Sequence, residues 1–187
     1  HFMNFFNKAN NANLVVAQQV YHSKFAIFSR VYESVDEIQT GETIHLPSDV
    51  VNLSRALILL EANNLSKLKD GITKTSATLE DIVENHKGLV FEVSSINVTP
   101  LKYQDSGHRL AIMYPTYLLQ ALGNVDDNEY LVNEELNDLT KTYAISFVVN
   151  KEKLNDALIV KFLKHLTGQK VKDYLVSNYG WAAEVAF

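Results

Sequence analysis

The sequence predicts an α/β fold with largely parallel sheets. Segments rich in β-branched and aromatic residues alternate with stretches whose apolar residues recur at helical intervals, and this alternation is the signature of that class. The two long strand-like segments, residues 14–29 and 143–149, bracket the central region. A chain that leaves one lobe and returns to it later does so through such a pair of crossing strands, which makes a hinged, two-lobed architecture.

The elements follow in order. Phe2 to Lys8 places aromatic residues at helical spacing before an Asn-rich break at 10–13. Leu14 to Ser29, LVVAQQVYHSKFAIFS, reads as one extended apolar strand. Thr43 to Leu46 is a short strand behind the turn-forming Thr40-Gly41. Pro47, Ser48 and Asp49 then open a helix in which Val50, Leu53, Leu57 and Leu60 recur at helical intervals. Asn63-Asn64 ends it, because Asn tolerates the left-handed conformation of a helix terminus.

Thr78 is placed to cap a short helix over Leu79 to Glu84, and Leu89 to Val93 alternates like a strand. Leu110 to Met113 is a short apolar strand, Tyr117 to Leu122 gives one or two helical turns, and Tyr143 to Val149 is a second long strand. Lys153 to Tyr179 carries the pattern of two amphipathic helices. The expected core of the central lobe is Ile44, Leu46, Leu57, Leu60, Ile82, Val90, Ile112 and Leu118. In the terminal helices Phe162, Leu166, Tyr174 and Tyr179 are expected on the buried side. No internal repeat, low-complexity tract or flexible linker interrupts the 187 residues.

Composition narrows the function. A formal net charge of −5 argues against a nucleic-acid partner, which would call for a basic face. No apolar run approaches the ~18 residues needed to cross a bilayer. With 0 cysteines, disulfides, thiolate metal sites and cysteine nucleophiles are excluded. The chain opens with HFMNFFNKANNAN rather than a secretory signal, so it reads as a cytosolic protein or as a processed or truncated product.

The 7 glycines form neither a phosphate loop nor a dinucleotide fingerprint, and the 6 histidines show no metal-ligand spacing. The acidic pairs Asp126-Asp127 and Glu134-Glu135 lie in a polar stretch and read as solvated surface. The enzyme reading is therefore set aside, with no cofactor and no metal expected.

TIHLPSDVVNLSRALILLEANNL is the most informative segment. Strand, turn and capped helix together present backbone N–H groups that favour an anion. Asn52 and Arg55, three residues apart, share one helix face. Arg55 either grips a ligand carboxylate in a bidentate fork, pairs with a surface acid such as Glu61, or lies over the apolar face.

PSDVVNLSRALILL resembles the Pro-Asn-Asp-x-x-Asn-x-x-Arg-x-Leu-x-Leu-Leu signature of the methionine-binding lipoproteins of the NlpA type. Pro47, Asp49, Asn52, Arg55, Leu57, Leu59 and Leu60 match, and Ser48 replaces the usual Asn. The similarity continues in register through Leu65 to Gly71 and Asp81 to Asn85, with His86 where Pro is usual. It also takes in Phe6-Asn7-Lys8, Ser34 to Glu37 and Gly41.

The resemblance implies a periplasmic-binding-protein-like fold of type II, two lobes joined by two crossing strands, with lobe I incomplete. Residues 1–30 would be the remainder of lobe I and the first hinge strand, 31–125 lobe II, and 126–187 the second hinge strand and return helices. It implies a lipid-anchored extracytoplasmic protein that closes over methionine, a related amino acid or a short peptide and delivers it to an ABC permease. The lipid anchor and the leading strands of lobe I would lie before this chain's start. Exposed edges there would favour self-association.

In that picture Arg55 holds the ligand carboxylate and Asn52 braces the site. Phe2 packs near the ligand side chain, and Tyr21 or His22 lines the pocket from the hinge strand. Two departures stand out. Tyr114, in Ala111-Ile112-Met113-Tyr114, replaces an Asn that helps bind the amino-acid head group. Ile145, in Tyr143-Ala144-Ile145-Ser146, replaces a second Asn. Leaving an ammonium group short of a partner costs about 1–3 kcal/mol. The ligand is thus methionine, another solute, or none; in the last case the chain is a degenerate family member acting as a surface interaction protein.

Overall fold

Between Lys24 and Phe25 the backbone changes hydrogen-bonding partners. Lys24 N–H donates to Ala182 O at 2.9 Å, whereas Phe25 O accepts from Glu134 N–H at 2.8 Å. A computed structural model describes residues 2–123, 125 and 129–187. It divides into two compact units, one of residues 1–24 and 135–187 and the other of residues 25–134. The single strand expected over 14–29 is therefore two, β1 (Leu14–Ser23) and β2 (Ala26–Phe28), one in each unit. The return crossing falls at 134/135, ahead of the strand Ile145–Asn150 that was expected to carry it. Asp126-Asp127 lies outside the described residues.

The central unit is built on β2, β3 (Thr43–Pro47), β6 (Val90–Ser94), β7 (Ala111–Met113) and β8 (Tyr130–Asn133), in the order β6-β3-β7-β2-β8. A short hairpin-like pair, β4 (Ser66–Leu68) and β5 (Ile82–Asn85), stands apart from it. The expectation of largely parallel sheets holds only for β6, β3 and β7; β2 pairs antiparallel with both β7 and β8. Parallel pairing needs a return crossover. Here α2 (Val50–Ala62) follows β3, and α3 (Thr99–Asp105) links β6 to β7. Strands β2 and β8, where the chain enters and leaves the unit, carry no such constraint.

Alternation along these strands builds a core on each face of the sheet. Ile27, Ile44, Leu46 and Ile112 pack with Ala56, Leu57 and Leu60 of α2. Ala26, Phe28, Ala111 and Met113 pack with Tyr103 of α3 and Leu118 of α4 (Pro115–Leu122). Of the expected core, Ile82 is only partly buried, and Val90, on the edge strand β6, is half exposed. The helix expected over Leu79 to Glu84 is one 3-10 turn, Leu79–Asp81, running into β5. Asp81 accepts from both the N–H and the hydroxyl of Thr78, which tightens that turn and stops it.

The terminal unit has a three-stranded antiparallel sheet of β10 (Ala183–Val185), β1 and β9 (Ile145–Asn150). Asn7 of α1 (Phe2–Asn10) locks the turn into β1: its amide donates to Leu14 O at 2.8 Å and its oxygen accepts from Leu14 N–H at 3.0 Å. Asn11 takes the left-handed conformation there, with φ 48. Helices α5 (Ala157–Leu166) and α6 (Gln169–Tyr179) follow as expected, but not with the expected burial. Phe162, Tyr174 and Tyr179 are exposed and Leu166 is partly covered. The Phe162 ring packs against that of Phe147, with ring centroids 5.0 Å apart. Apolar periodicity shows which face of a helix seeks cover; the cover itself depends on what else the fold brings to it.

Candidate ligand-binding site

Asp49 starts the site. It is the N-cap of α2, and its carboxylate accepts from Asn52 N–H at 3.1 Å and from the Asn52 side-chain amide at 2.9 Å. The anion expected at this helix start is thus the protein's own carboxylate. Asn52 in turn accepts from Tyr114 Oη–H at 2.7 Å. The same phenol oxygen accepts from Arg55 Nη1 at 3.0 Å. Tyr114, positioned just after β7 and at the N-terminus of α4, therefore joins both polar residues of the α2 motif.

Arg55 is buried, its side chain 5% exposed, and so is its main partner Glu134, at 7%. Nε donates to the two Glu134 oxygens at 2.9 and 3.1 Å, and Nη2 donates to Oε2 at 2.6 Å. The guanidinium carbon lies 4.8 Å from the centroid of the Phe25 ring and 5.4 Å from that of Tyr114. Those two rings are 4.9 Å apart. Burial works against the charge on Arg55, but the Glu134 carboxylate and Tyr114 outweigh it and hold the guanidinium above its ordinary pKa. Burial likewise raises the Tyr114 phenol, against the opposing pull of Arg55, so the hydroxyl stays a proton donor.

Two expectations are corrected here. Glu134 is not solvated surface: residue 134 follows β8 directly and turns its carboxylate onto α2, while Glu135 stays exposed. Arg55 does not pair with Glu61, which accepts from Leu68 N–H at 2.9 Å and faces Lys74 at 3.8 Å. Of the residues singled out by sequence, the central unit brings together Asn52, Arg55 and Tyr114. Phe2, Tyr21, His22 and Ile145 belong to the terminal unit. There Tyr21 and Ile145 are opposed across β1 and β9, His22 is buried, Ile145 is half exposed, and Phe2 is well exposed on α1.

Sequence reasoning missed Phe25 and Glu134. A signal existed. The chain has only three arginines, Arg30, Arg55 and Arg109, and each is paired with a glutamate: Glu129, Glu134 and Glu42 respectively. Glu129 and Glu134 flank the apolar Tyr130–Asn133 strand, where a carboxylate needs a cation if it is to be buried.

The third pair gives a prediction. Arg109 Nε donates to Glu42 at 2.9 Å, and Tyr32 Oη–H also donates to this carboxylate. Chiefly through Arg109, and despite the opposing effect of burial, the Glu42 carboxyl is held well below its ordinary 4.5, at about 2. Its ionised form stabilises the fold fully above about pH 4.5, and that contribution fades as the pH falls towards 2. The stability gap between the native chain and Glu42→Gln, measured by urea unfolding, should close over that window; a gap independent of pH would contradict the assignment.

Among the described residues no three His, Asp or Glu side chains converge as a metal set, and no helix is long and apolar enough to cross a membrane. The family model described as NlpA lipoprotein matches residues 1–187. The chain belongs to the NlpA lipoprotein family. Among its relatives, the methionine-binding lipoprotein MetQ of Bacillus subtilis is 28% identical over 169 residues, covering 90% of this chain and 61% of that protein. The membrane lipoprotein TpN32 of Treponema pallidum is 30% identical over 175 residues, covering 93% of this chain and 62% of the relative. A YaeC family lipoprotein of Enterococcus faecalis has a similar structure, with TM-score 0.86, 27% identity and coverage of 100% of this chain and 75% of that one. This NlpA family chain thus has the mixed α/β architecture of its relatives and spans about three fifths of the length of the curated ones.

Proposed function

We propose that this chain is the solute-binding component of an ABC importer, binding methionine or a related amino acid or short peptide and passing it to the permease. The carrying observation is the family signature on α2, folded as a capped helix that presents Asn52 and Arg55 to Tyr114 in one connected polar cluster. Membership of the NlpA family and similarity to a protein named for methionine binding support the solute class. On this reading Arg55 and Asn52 are the head-group residues. Phe2, Tyr21, His22, Tyr114 and Ile145 are further recognition positions. The protein is not an enzyme; it works by binding and release, the bound solute favouring one conformation over another.

The same reading places the protein at the outer face of the cell membrane, held by an N-terminal lipid anchor outside these residues. Exposed apolar side chains on α1 and α5, among them Phe2, Phe6, Leu158 and Phe162, support self-association of the chain as it stands. A second reading, a family member without an amino-acid ligand that acts as a surface interaction protein, is favoured by the internal carboxylate already on Arg55 and by the apolar Ile145.

Native mass spectrometry of the purified protein, followed by thermal-shift screening against all amino acids and methionine dipeptides, separates the two. A co-purifying small molecule, or a rise in melting temperature with one of these solutes, is expected for the transport reading. No adduct and no shift, in this chain and in one extended to the length of its relatives, selects the second.

A further inference from the structure

We propose that His45 is an acid-sensitive latch on the edge strand β6: a proton taken up by its ring favours detachment of β6 from β3. Strand β6 ends the five-stranded sheet and pairs with β3, where His45 stands opposite Glu92 in the parallel register. The His45 side chain is 6% exposed and that of Glu92 56%, with Nδ1 3.4 Å from Glu92 Oε2. The carboxylate favours the tautomer with its proton on Nδ1. Nε2 is then a buried lone pair, and no hydrogen bond reaches it among the described residues.

The charges that bear on the ring are Glu92 from β6, and Lys102 and Asp105 from α3. Strand β7 places the apolar Ala111 opposite His45, and α2 packs on the other face, against Ile44 and Leu46. Acid adds the second proton at Nε2, which makes a charged ring and a buried donor without an acceptor. Burial is the largest influence on this step; Glu92 opposes it, Lys102 reinforces it and Asp105 sides with Glu92. The balance holds His45 below its ordinary 6.5. Once β6 detaches, the ring meets water and regains that ordinary value. Protons therefore favour the detached state, and the latch is complete above about pH 6.5 and weakens as the pH falls below it.

The latch reaches the candidate site. Ser48 N–H, one residue before the Asp49 cap of α2, donates to Ser94 O at the end of β6, at 2.7 Å. Detachment of β6 releases that tie, so acid loosens the start of the helix that carries Asn52 and Arg55. The consequence for a bound solute rests on the solute-binding reading; the latch itself does not.

Hydrogen exchange at the β6 amides, corrected for the intrinsic effect of pH, tests the latch without any solute. Protection should fall by up to about ten-fold per pH unit below about pH 6.5, the limit for one linked proton. At low urea this exchange should be insensitive to denaturant, the mark of local opening. His45→Phe should abolish the fall. His108, which burial and Arg30 also hold low, is common to both proteins and drops out of their difference.

Should His45→Phe fail to fold, the NMR titration of the His45 ring in the native protein and in Glu92→Gln carries the test. The midpoint is expected below 6.5 in the native protein, and lower still without the Glu92 charge. The proposal is overturned by a native midpoint at or above 6.5, or by one that Glu92→Gln leaves unmoved. It is equally overturned if the pH dependence survives His45→Phe, or if the β6 amides exchange only through global unfolding. A solute screen without a hit counts against the transport reading alone.

Discussion

Arg55→Ala is expected to destabilise the central unit by about 3–5 kcal/mol, because truncating one partner of a buried ion pair leaves the other charge buried and uncompensated. Glu134 would lose all three short contacts to Arg55 and keep its backbone tie to Phe25. Tyr114 would lose the donor to its oxygen, and Phe25 the cation against its ring. The measurement is urea unfolding, with hydrogen exchange at β2 and β7 amides reporting the central unit by itself.

Arg55→Met combined with Glu134→Met should recover most of the loss, since replacing a buried pair by apolar side chains of similar volume is often neutral. If the single variant lost no more than about 0.5 kcal/mol, the pair would have to be counted with solvent-exposed ones. The same comparison separates stability from recognition. A double variant that folds well and has lost its solute would place Arg55 or Glu134 at the ligand.

Phe28→Ala should cost a similar amount, about 3–5 kcal/mol, for a different reason. Phe28 is fully buried in β2, with its ring 4.9 Å from that of Tyr130 and 6.5 Å from that of Tyr103. The sheet and the helices α3 and α4 close round it, so truncation leaves a cavity that the rigid strands cannot fill. Leu158→Ala in α5 is the contrast: the residue is 78% exposed, and its loss should change stability by no more than about 0.5 kcal/mol. Equal losses at the two positions would mean that α5 is covered in solution, for example by a second copy of the chain. Dilution should then shrink the Leu158→Ala effect while leaving that of Phe28→Ala untouched.

Much of the local structure was legible in the residues alone. Asp49 and the spacing of Leu53, Leu57 and Leu60 specified a capped helix, and α2 starts and ends where Asp49 and Asn63 place it. Short apolar runs such as Ala111–Met113 marked buried strands, and the α2 motif identified the family over the whole chain. These features depend on hydrogen bonds and side-chain alternation within a few residues of each other, which is the range that a linear pattern records.

Other features belonged to the tertiary structure. Lys24 and Phe25 sit within one strand-like segment of the sequence, yet their backbones serve different units, because Ala182 and Glu134 reach them from more than a hundred residues away. Strand direction was decided by where crossover helices fall, not by strand composition. Glu134 looks like half of a solvated acidic pair until Arg55, 79 positions earlier, is folded against it. A sequence lists the charges, but only the fold sets their separation and their access to water. Those two quantities decide whether an arginine awaits a solute or already holds a carboxylate of its own.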